Sequence, residues 1–150
     1  MRDVITIAAL VIRNDHGQVL TVRKRGTHRF MLPGGKPEAG ESPDRAVVRE
    51  VAEELGVHLD PAGLTLLGVH TAPAANEPGH TVHATVYTHP YVAVTEPRAE
   101  IETLRWTDPT APPDDVAPLL RTVVFPALSA AGTAQRRGTG RGRPRRGPRG

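Results

Sequence analysis

One segment, residues 42–57, constrains the fold most, because it predicts a helix with two chemically different sides. Ser42 and Pro43 are typical of the start of a helix, and Gly56 is typical of the position after its end. We therefore expect a helix over 43–55. At 100° per residue, three glutamates share an arc of about 100°, and apolar side chains lie on another side. The glutamates are Glu50, Glu53 and Glu54, and the apolar residues are Val48, Val51 and Leu55.

The carboxylates on this helix indicate a cation site. Like charges three or four residues apart destabilise an exposed helix by about 0.2–0.5 kcal/mol per pair. A bound cation offsets that repulsion, and carboxylate oxygens suit Mg²⁺ or Mn²⁺ better than Zn²⁺. The alternative is a solvated acidic face without a ligand. The loop before the helix argues against it, since glycines at 34, 35 and 40 let the backbone approach a ligand closely.

The remaining pattern predicts one α/β domain over 1–131. Apolar, β-branched runs indicate strands over 4–12 and 19–22, and the turn residues between them favour a hairpin. A second helix is expected from 114 to 131, with a break or kink near Pro126. The other expected strands cover 64–71, 81–94 and 104–106.

Charge is divided unevenly along the chain. Residues 132–150 contain seven arginines and no acid, whereas residues 1–131 contain the other 12 basic residues and all 16 acidic ones. The body therefore has a net charge near −4 and the tail one of +7. We expect the Arg/Gly/Pro-rich tail to be disordered, because it cannot build a core. It is either idle, a weak and sequence-independent contact for nucleic acid, or a contact for an acidic partner.

Hydropathy and cysteine content exclude several classes of protein. The chain has no cysteine, which excludes disulfides, a thiolate nucleophile and cysteine-ligated zinc. Apolar runs such as 7–12 are far shorter than the roughly 20 residues of a membrane span. The first residues lead directly into a strand pattern and not into a signal peptide. We therefore expect a soluble, cytoplasmic protein without membrane contact.

Residues 35–57 resemble the Nudix box. Gly35 is followed after five residues by Glu41 and, after seven more, by REVAEELGV over 49–57, with no departure at a defining position. The preceding LPGG over 32–35 is similar to the usual lead-in. The box covers 23 of 150 residues, and the flanking strand pattern resembles the family from about residue 3 to about residue 130.

The resemblance implies an α/β/α sandwich with a mixed β-sheet. It also implies Mg²⁺-dependent hydrolysis, with Mn²⁺ as the alternative metal, of a nucleoside diphosphate linked to another group. Glu50, Glu53 and Glu54 would be ligands of the metal or of its water, and the Gly34 carbonyl is a further candidate. The metal would neutralise and orient the diphosphate and activate water, which attacks phosphorus in line without a covalent intermediate.

The resemblance leaves the general base open. It is either Glu53 or Glu54 in the box, or a glutamate on a later loop, for which Glu100 is our candidate. The alternative for Glu100 is an ordinary surface residue. Arg49 is expected to orient the glutamates through Glu41.

Substrate contacts outside the box follow from residue chemistry. Arg23, Lys24 and Arg25 end the second strand, and arginine binds phosphate in a bidentate way. They are candidates for the substrate phosphates, the alternative being a solvated strand end. Phe30 either stacks on a base or packs in the core.

A free nucleotide is the preferred substrate, either a nucleoside triphosphate or a nucleotide sugar such as ADP-ribose. The alternatives are removal of pyrophosphate from RNA 5′ ends and a non-catalytic module that senses nucleotides. Dimers are common in the family that the chain resembles, so a homodimer is plausible, but the sequence carries no interface signature.

Overall fold

The computed structural model describes residues 3–129, in which three strands and a helix are followed by three more strands and a second helix. The strands are β1 (Val4–Ile12), β2 (Val19–Lys24), β3 (Gly34–Gly35), β4 (Thr65–Pro73), β5 (Thr81–His89) and β6 (Ile101–Thr107). Helix α1 is Pro43–Leu55, a short 3₁₀ turn is Pro61–Gly63, and helix α2 covers 118–129.

β1 is the centre of a mixed four-stranded sheet with the order β3-β1-β5-β4. It pairs in parallel with β5, from Val4 opposite Thr81 to Ile12 opposite His89, and antiparallel with β3. β4 lies antiparallel to β5 at the edge, and β2 and β6 form a separate antiparallel pair. The last five residues of β1 are buried, which explains its nearly continuous apolar sequence.

The two faces of β1 contribute to two hydrophobic clusters, because successive side chains of a strand point in opposite directions. Ala8, Leu10 and Ile12 pack in the cluster that contains the buried side of α1. Ala9 and Val11 pack in the cluster that contains α2. The sheets therefore lie between α1 and α2, and the predicted α/β/α sandwich with a mixed sheet is confirmed.

The predicted hairpin of β1 and β2 is wrong beyond its turn. Arg13, which follows β1, forms an antiparallel bridge with Val19 at the start of β2. Otherwise the two strands have different partners, because β1 belongs to the four-stranded sheet and β2 pairs with β6. The turn residues reverse the chain, whereas distant strands determine the pairing. β5 also ends at His89 and not at the predicted residue 94, because Pro90 has no backbone N–H for the ladder.

Helix α1 has the predicted bounds. Gly56 adopts the left-handed conformation with a φ of 68°, and its N–H donates to the Ala52 carbonyl at 3.0 Å. Ser42 precedes the helix in an extended conformation, but its side chain does not cap a backbone N–H. The glycine stop and the proline start, Pro43, are thus the local signals that define this helix.

Helix α2 begins later than predicted and is irregular. It begins at residue 118 instead of 114, and its π-helical turn, Leu120–Val124, ends two residues before Pro126. Proline removes a backbone donor, so a widened turn at this place has a local cause. The predicted tail, 132–150, lies outside the described residues. No helix in the described part of the chain is long and apolar enough to cross a membrane.

Candidate active site

Two glycines bring the backbone of β3 against both β1 and the glutamate side of α1. Gly34 and Gly35 lie opposite Ala9 and Ala8. A Cβ at Gly35 would lie 2.5 Å from the carboxyl carbon of Glu50, and a Cβ at Gly34, where φ is 144°, would collide with the Ala8 carbonyl. Glycine is therefore required at position 34, whereas a larger residue at position 35 would displace the Glu50 carboxylate from the backbone of β3.

Glu50, Glu53 and Glu54 of α1 are here called the carboxylate cluster, and Glu54 is its buried member. Its side chain is 3% exposed, and its Oε1 accepts a hydrogen bond from the Gly34 N–H at 3.1 Å. Burial raises the pKa of Glu54 to about 8, with a further rise from the nearby Glu50 charge and an opposing effect of the Gly34 hydrogen bond. The site thus holds a carboxyl group whose charged form a cation would stabilise.

Arg49 lies among the other glutamates and joins them. Its Nε and Nη2 each donate to a Glu41 carboxylate oxygen at 2.9 Å. Its Nη1 lies 3.2 Å from Oε2 of Glu50 and 3.5 Å from Oε1 of Glu53. The Arg49 hydrogen bonds, followed by one from the Glu38 N–H, lower the pKa of Glu41 to about 2. Glu41 therefore fixes the guanidinium, and the guanidinium restrains Glu50.

The donor set of this cluster fits a hard divalent cation. Among residues 3–129, no three acidic or histidine side chains already converge as a complete metal cage. A complete cage is not needed, because Mg²⁺ in proteins is held by one or two carboxylates together with water and substrate phosphates. Burial raises the pKa of Glu50, whereas the side chain of Glu53 is 57% exposed beside Arg49. The residues that fit the cation are Glu50, Glu53, Glu54 and the Gly34 carbonyl.

A cavity of about 340 Å³, here called the site cavity, opens beside Glu50. This volume suits a small-molecule ligand. Its charged lining residues are Lys24, Lys36, Glu50, Glu77 and Glu100. Its apolar lining includes Ile5, Ile7, Met31, Val82 and Leu119. The site cavity therefore combines a charged region beside the cluster with apolar walls, and Lys36 and Glu77 are lining residues that the sequence analysis did not identify.

The structure separates the basic residues at the end of β2. Lys24 lines the site cavity, with its Nζ 3.9 Å from the Glu100 carboxylate. Arg23 instead forms an ion pair with Glu102 at 3.0 Å, and Arg25 is exposed outside the cavity lining. The lysine, and not either arginine, is thus the basic residue that β2 brings to the cavity.

Phe30 packs in the core and is 6% exposed. The Arg105 guanidinium lies 3.6 Å from the centre of its ring, within cation–π distance. Two hydrogen bonds of 2.7 and 3.0 Å hold that guanidinium on the Asp115 carboxylate. The ring is therefore covered by protein side chains, and it lies outside the lining of the site cavity.

Glu100 reaches the site cavity from the loop before β6. Its carbonyl accepts a hydrogen bond from the Arg25 N–H at 2.8 Å, and the preceding Ala99 has a φ of 55°. The Glu100 side chain is 67% exposed, and its charge adds to the raised pKa of Glu54. The structure thus brings Glu100 to the same cavity as Glu50.

The free energy of unfolding of the metal-free protein should fall as the pH rises from about 5 to about 8. Folding raises the pKa of Glu54 from 4.5 to about 8, so in this window the folded protein retains a proton that the unfolded chain releases. One such proton gives a slope of at most about 1.4 kcal/mol per pH unit. Urea unfolding in EDTA measures it. Glu54→Gln should remove most of the slope, and an equal slope in both proteins would contradict the assignment.

Comparison with known proteins assigns this chain to a family. The NUDIX domain model matches residues 4–125. An 8-oxo-dGTP diphosphatase from Haemophilus influenzae is 43% identical over 60 residues, 37% of this chain and 44% of that protein. An ADP-ribose pyrophosphatase from Methanocaldococcus jannaschii is 40% identical over 74 residues, 48% of this chain and 43% of that protein. An RNA pyrophosphohydrolase from Vibrio cholerae is 44% identical over 48 residues, 32% of this chain and 28% of that protein.

The chain thus spans less than half the length of each of these relatives. A solved structure is similar over more of the chain. The crystal structure of a MutT NUDIX hydrolase from Burkholderia pseudomallei has a TM-score of 0.66 and 29% identity, covering 85% of this chain and 97% of that one. The family match extends from β1 through α1 into α2, so it includes all six strands, α1 and most of α2 of the described fold. The chain therefore belongs to the NUDIX domain family.

Proposed function

We propose that the protein is a metal-dependent pyrophosphohydrolase that cleaves a phosphoanhydride bond of a free nucleotide. The site cavity is the observation that carries this proposal. Lys24 and the carboxylates of Glu50 and Glu100 form its charged region, whereas the walls away from that region are mainly apolar, with Glu77 as a charged residue among them. A nucleotide has the same polarity, with phosphates at one end and a flat base at the other. The relatives named above act on different phosphoanhydrides, which supports the class of reaction.

Mg²⁺ is the metal that the donor set favours, with Mn²⁺ as the alternative. Glu50, Glu53 and Glu54 would hold it, together with the Gly34 carbonyl. When bound, the metal neutralises charge on the diphosphate and makes water more nucleophilic near neutral pH.

The other residues of the site have separate roles in this proposal. Arg49 is a positioning residue, since its bidentate contact with Glu41 holds the guanidinium beside Glu50. Lys24 contacts a substrate phosphate, because its ammonium group lies at the cavity. Glu100 is our candidate for the general base. It reaches the cavity from a loop and not from α1, so its carboxylate can accept a proton from water while the glutamates of α1 hold the metal.

A panel of substrates with identified products tests the proposed function. Nucleoside triphosphates, ADP-ribose and an RNA with a 5′-triphosphate are incubated with the full chain and Mg²⁺, and the released products are separated. We expect turnover of at least one free nucleotide. Binding of nucleotides without turnover of any would instead favour the non-catalytic sensor. The complete carboxylate cluster argues against the sensor, because binding alone does not require metal-holding glutamates.

Removal of pyrophosphate from RNA 5′ ends is the second candidate, favoured by the +7 charge of residues 132–150. If the substrate is a free nucleotide, deleting this tail should change kcat/KM by less than about threefold at physiological salt, where the Debye length is about 8 Å. If the substrate is RNA, the deletion should weaken RNA affinity. It should also make the slope of log affinity against log salt concentration less steep by about 0.7 for each phosphate contact that is lost. Both substrates are measured at two salt concentrations, and a loss confined to RNA would favour the second candidate.

A further inference from the structure

Glu77 lines the site cavity away from the metal-holding glutamates. It lies on the turn between β4 and β5, where its carbonyl accepts a hydrogen bond from the His80 N–H at 3.1 Å. This turn follows the pairing of Pro73 with Thr81, and the sheet register places Thr81 beside Val4. The turn, and Glu77 with it, is therefore level with the beginning of β1.

The carboxylate cluster lies farther along the same strand. Gly35, whose position contacts Glu50, pairs with Ala8, four residues beyond Val4. Four residues of an extended strand correspond to about 13 Å. An extended nucleoside monophosphate has a length of the same order. The walls between the two levels are apolar and include Ile5, Ile7 and Met31. A phosphate beside Glu50 thus places its base near Glu77.

The Glu77 carboxylate has no protein partner within residues 3–129. No ion pair and no side-chain hydrogen bond of the described residues involves it. The other acidic lining residues differ, because Glu50 contacts Arg49 at 3.2 Å and Glu100 lies 3.9 Å from Lys24. An ionised carboxylate offers two acceptor oxygens and no donor. Glu77 is therefore available for a ligand group with adjacent N–H donors.

Guanine is the nucleobase whose edge matches this carboxylate. Its ring N1–H and its exocyclic amino group donate side by side, so each carboxylate oxygen accepts one hydrogen bond. Adenine and cytosine place a ring acceptor beside the amino group, and uracil places a carbonyl on each side of its N3–H. These acceptors would face the carboxylate oxygens with their lone pairs, which disfavours all three bases.

We propose that Glu77 is the base-recognising residue of this site and selects guanine nucleotides. The inference rests on the proposed function for the phosphate end and adds a substrate class to it. Guanine oxidised at C8 keeps the same two donors, so the recognised chemistry is the N1–H and amino edge common to both forms.

Kinetics with GTP, ITP, ATP and 8-oxo-GTP test the proposal on the full chain, since the inosine base lacks only the amino group. In the wild type, we expect kcat/KM for GTP to exceed that for ITP and ATP by about tenfold or more, the factor that corresponds to the loss of one hydrogen bond to a charged group. Glu77→Gln should bring GTP and 8-oxo-GTP down to the ITP level, mainly through KM. Glu96→Gln, an exposed glutamate outside the cavity lining, is the matched control and should leave the preference intact.

The outcomes separate this inference from the proposed function. Unchanged or faster hydrolysis of ATP by Glu77→Gln, whose amide offers the donor and acceptor that the adenine edge needs, supports base recognition when both guanine nucleotides lose activity. Equal wild-type rates for all four nucleotides, or an equal loss for all in the variant, overturn it while the pyrophosphohydrolase proposal stands. If no nucleotide is hydrolysed, the proposed function fails. Binding of guanosine alone, by equilibrium dialysis, then decides: weaker binding to Glu77→Gln supports the inference, and unchanged binding overturns it.

Discussion

Replacing Glu54 by glutamine should lower kcat by at least about 100-fold while the protein stays folded. The amide is nearly isosteric and still accepts the hydrogen bond that the Gly34 N–H makes at 3.1 Å. It lacks the charge that would hold the metal, and losing one oriented charge interaction in a transition state costs about 2.7–4 kcal/mol in comparable cases. Steady-state kinetics at saturating Mg²⁺, with the best substrate of the panel, measure the loss.

Stability measurements distinguish this loss from unfolding. At pH 7, Glu54→Gln should unfold at a Tm no lower than that of the metal-free wild type, because it removes a buried carboxyl group whose pKa is raised to about 8. Glu53→Gln should also lower kcat by at least about 100-fold, whereas Glu96→Gln serves as an exposed control. If the Glu53 and Glu54 variants both keep more than half of the wild-type rate, the metal assignment is wrong.

Removal of divalent metal with EDTA should abolish hydrolysis, and Mg²⁺ or Mn²⁺ should restore it. The proposed ligands are carboxylate and carbonyl oxygens, which suit these hard cations. Zn²⁺ should be a poor substitute, because it prefers tetrahedral sites with nitrogen and sulfur ligands. Initial rates after dialysis, across a titration of each metal, measure the recovery.

The same titration gives a readout that does not depend on turnover. A ligand that binds only the folded state raises its stability in proportion to the logarithm of ligand concentration. Mg²⁺ should therefore raise the Tm of the wild type, and Glu50→Gln should reduce that increase. Full activity after exhaustive chelation would contradict the proposed role of the metal.

The parts of the fold that local sequence determines were the most predictable. The bounds of α1 depend on Pro43 and Gly56, which act within one helical turn, and the structure has the same bounds. The pairing of β1 depends on β5, and 68 residues lie between the end of β1 at Ile12 and the start of β5 at Thr81. A turn pattern carries no information about such a partner, so a hairpin was predicted where the two strands enter different sheets.

The residues of the candidate site were likewise predictable only where local sequence determines their position. The glutamates of α1 could be placed on one side of the helix because a regular spacing fixes their directions. Lys24 could not be separated from Arg23 and Arg25, since neighbouring residues of a strand point to opposite sides and the sequence does not show which side of β2 faces the cavity. Glu77 comes near the site only through the pairing of β4 with β5, and a single glutamate in a loop gives no sequence signal.

The central position of β1 also affects how the protein is made. Val4 leaves the ribosome 77 residues before its partner Thr81, a delay of roughly 4–15 s at about 5–20 residues per second. Until then, the most apolar strand of the domain has only the two-residue β3 to pair with. Unpaired apolar strands promote association between chains. Conditions that slow translation between residues 12 and 81 should therefore reduce the yield of soluble protein more than the same slowing after residue 89.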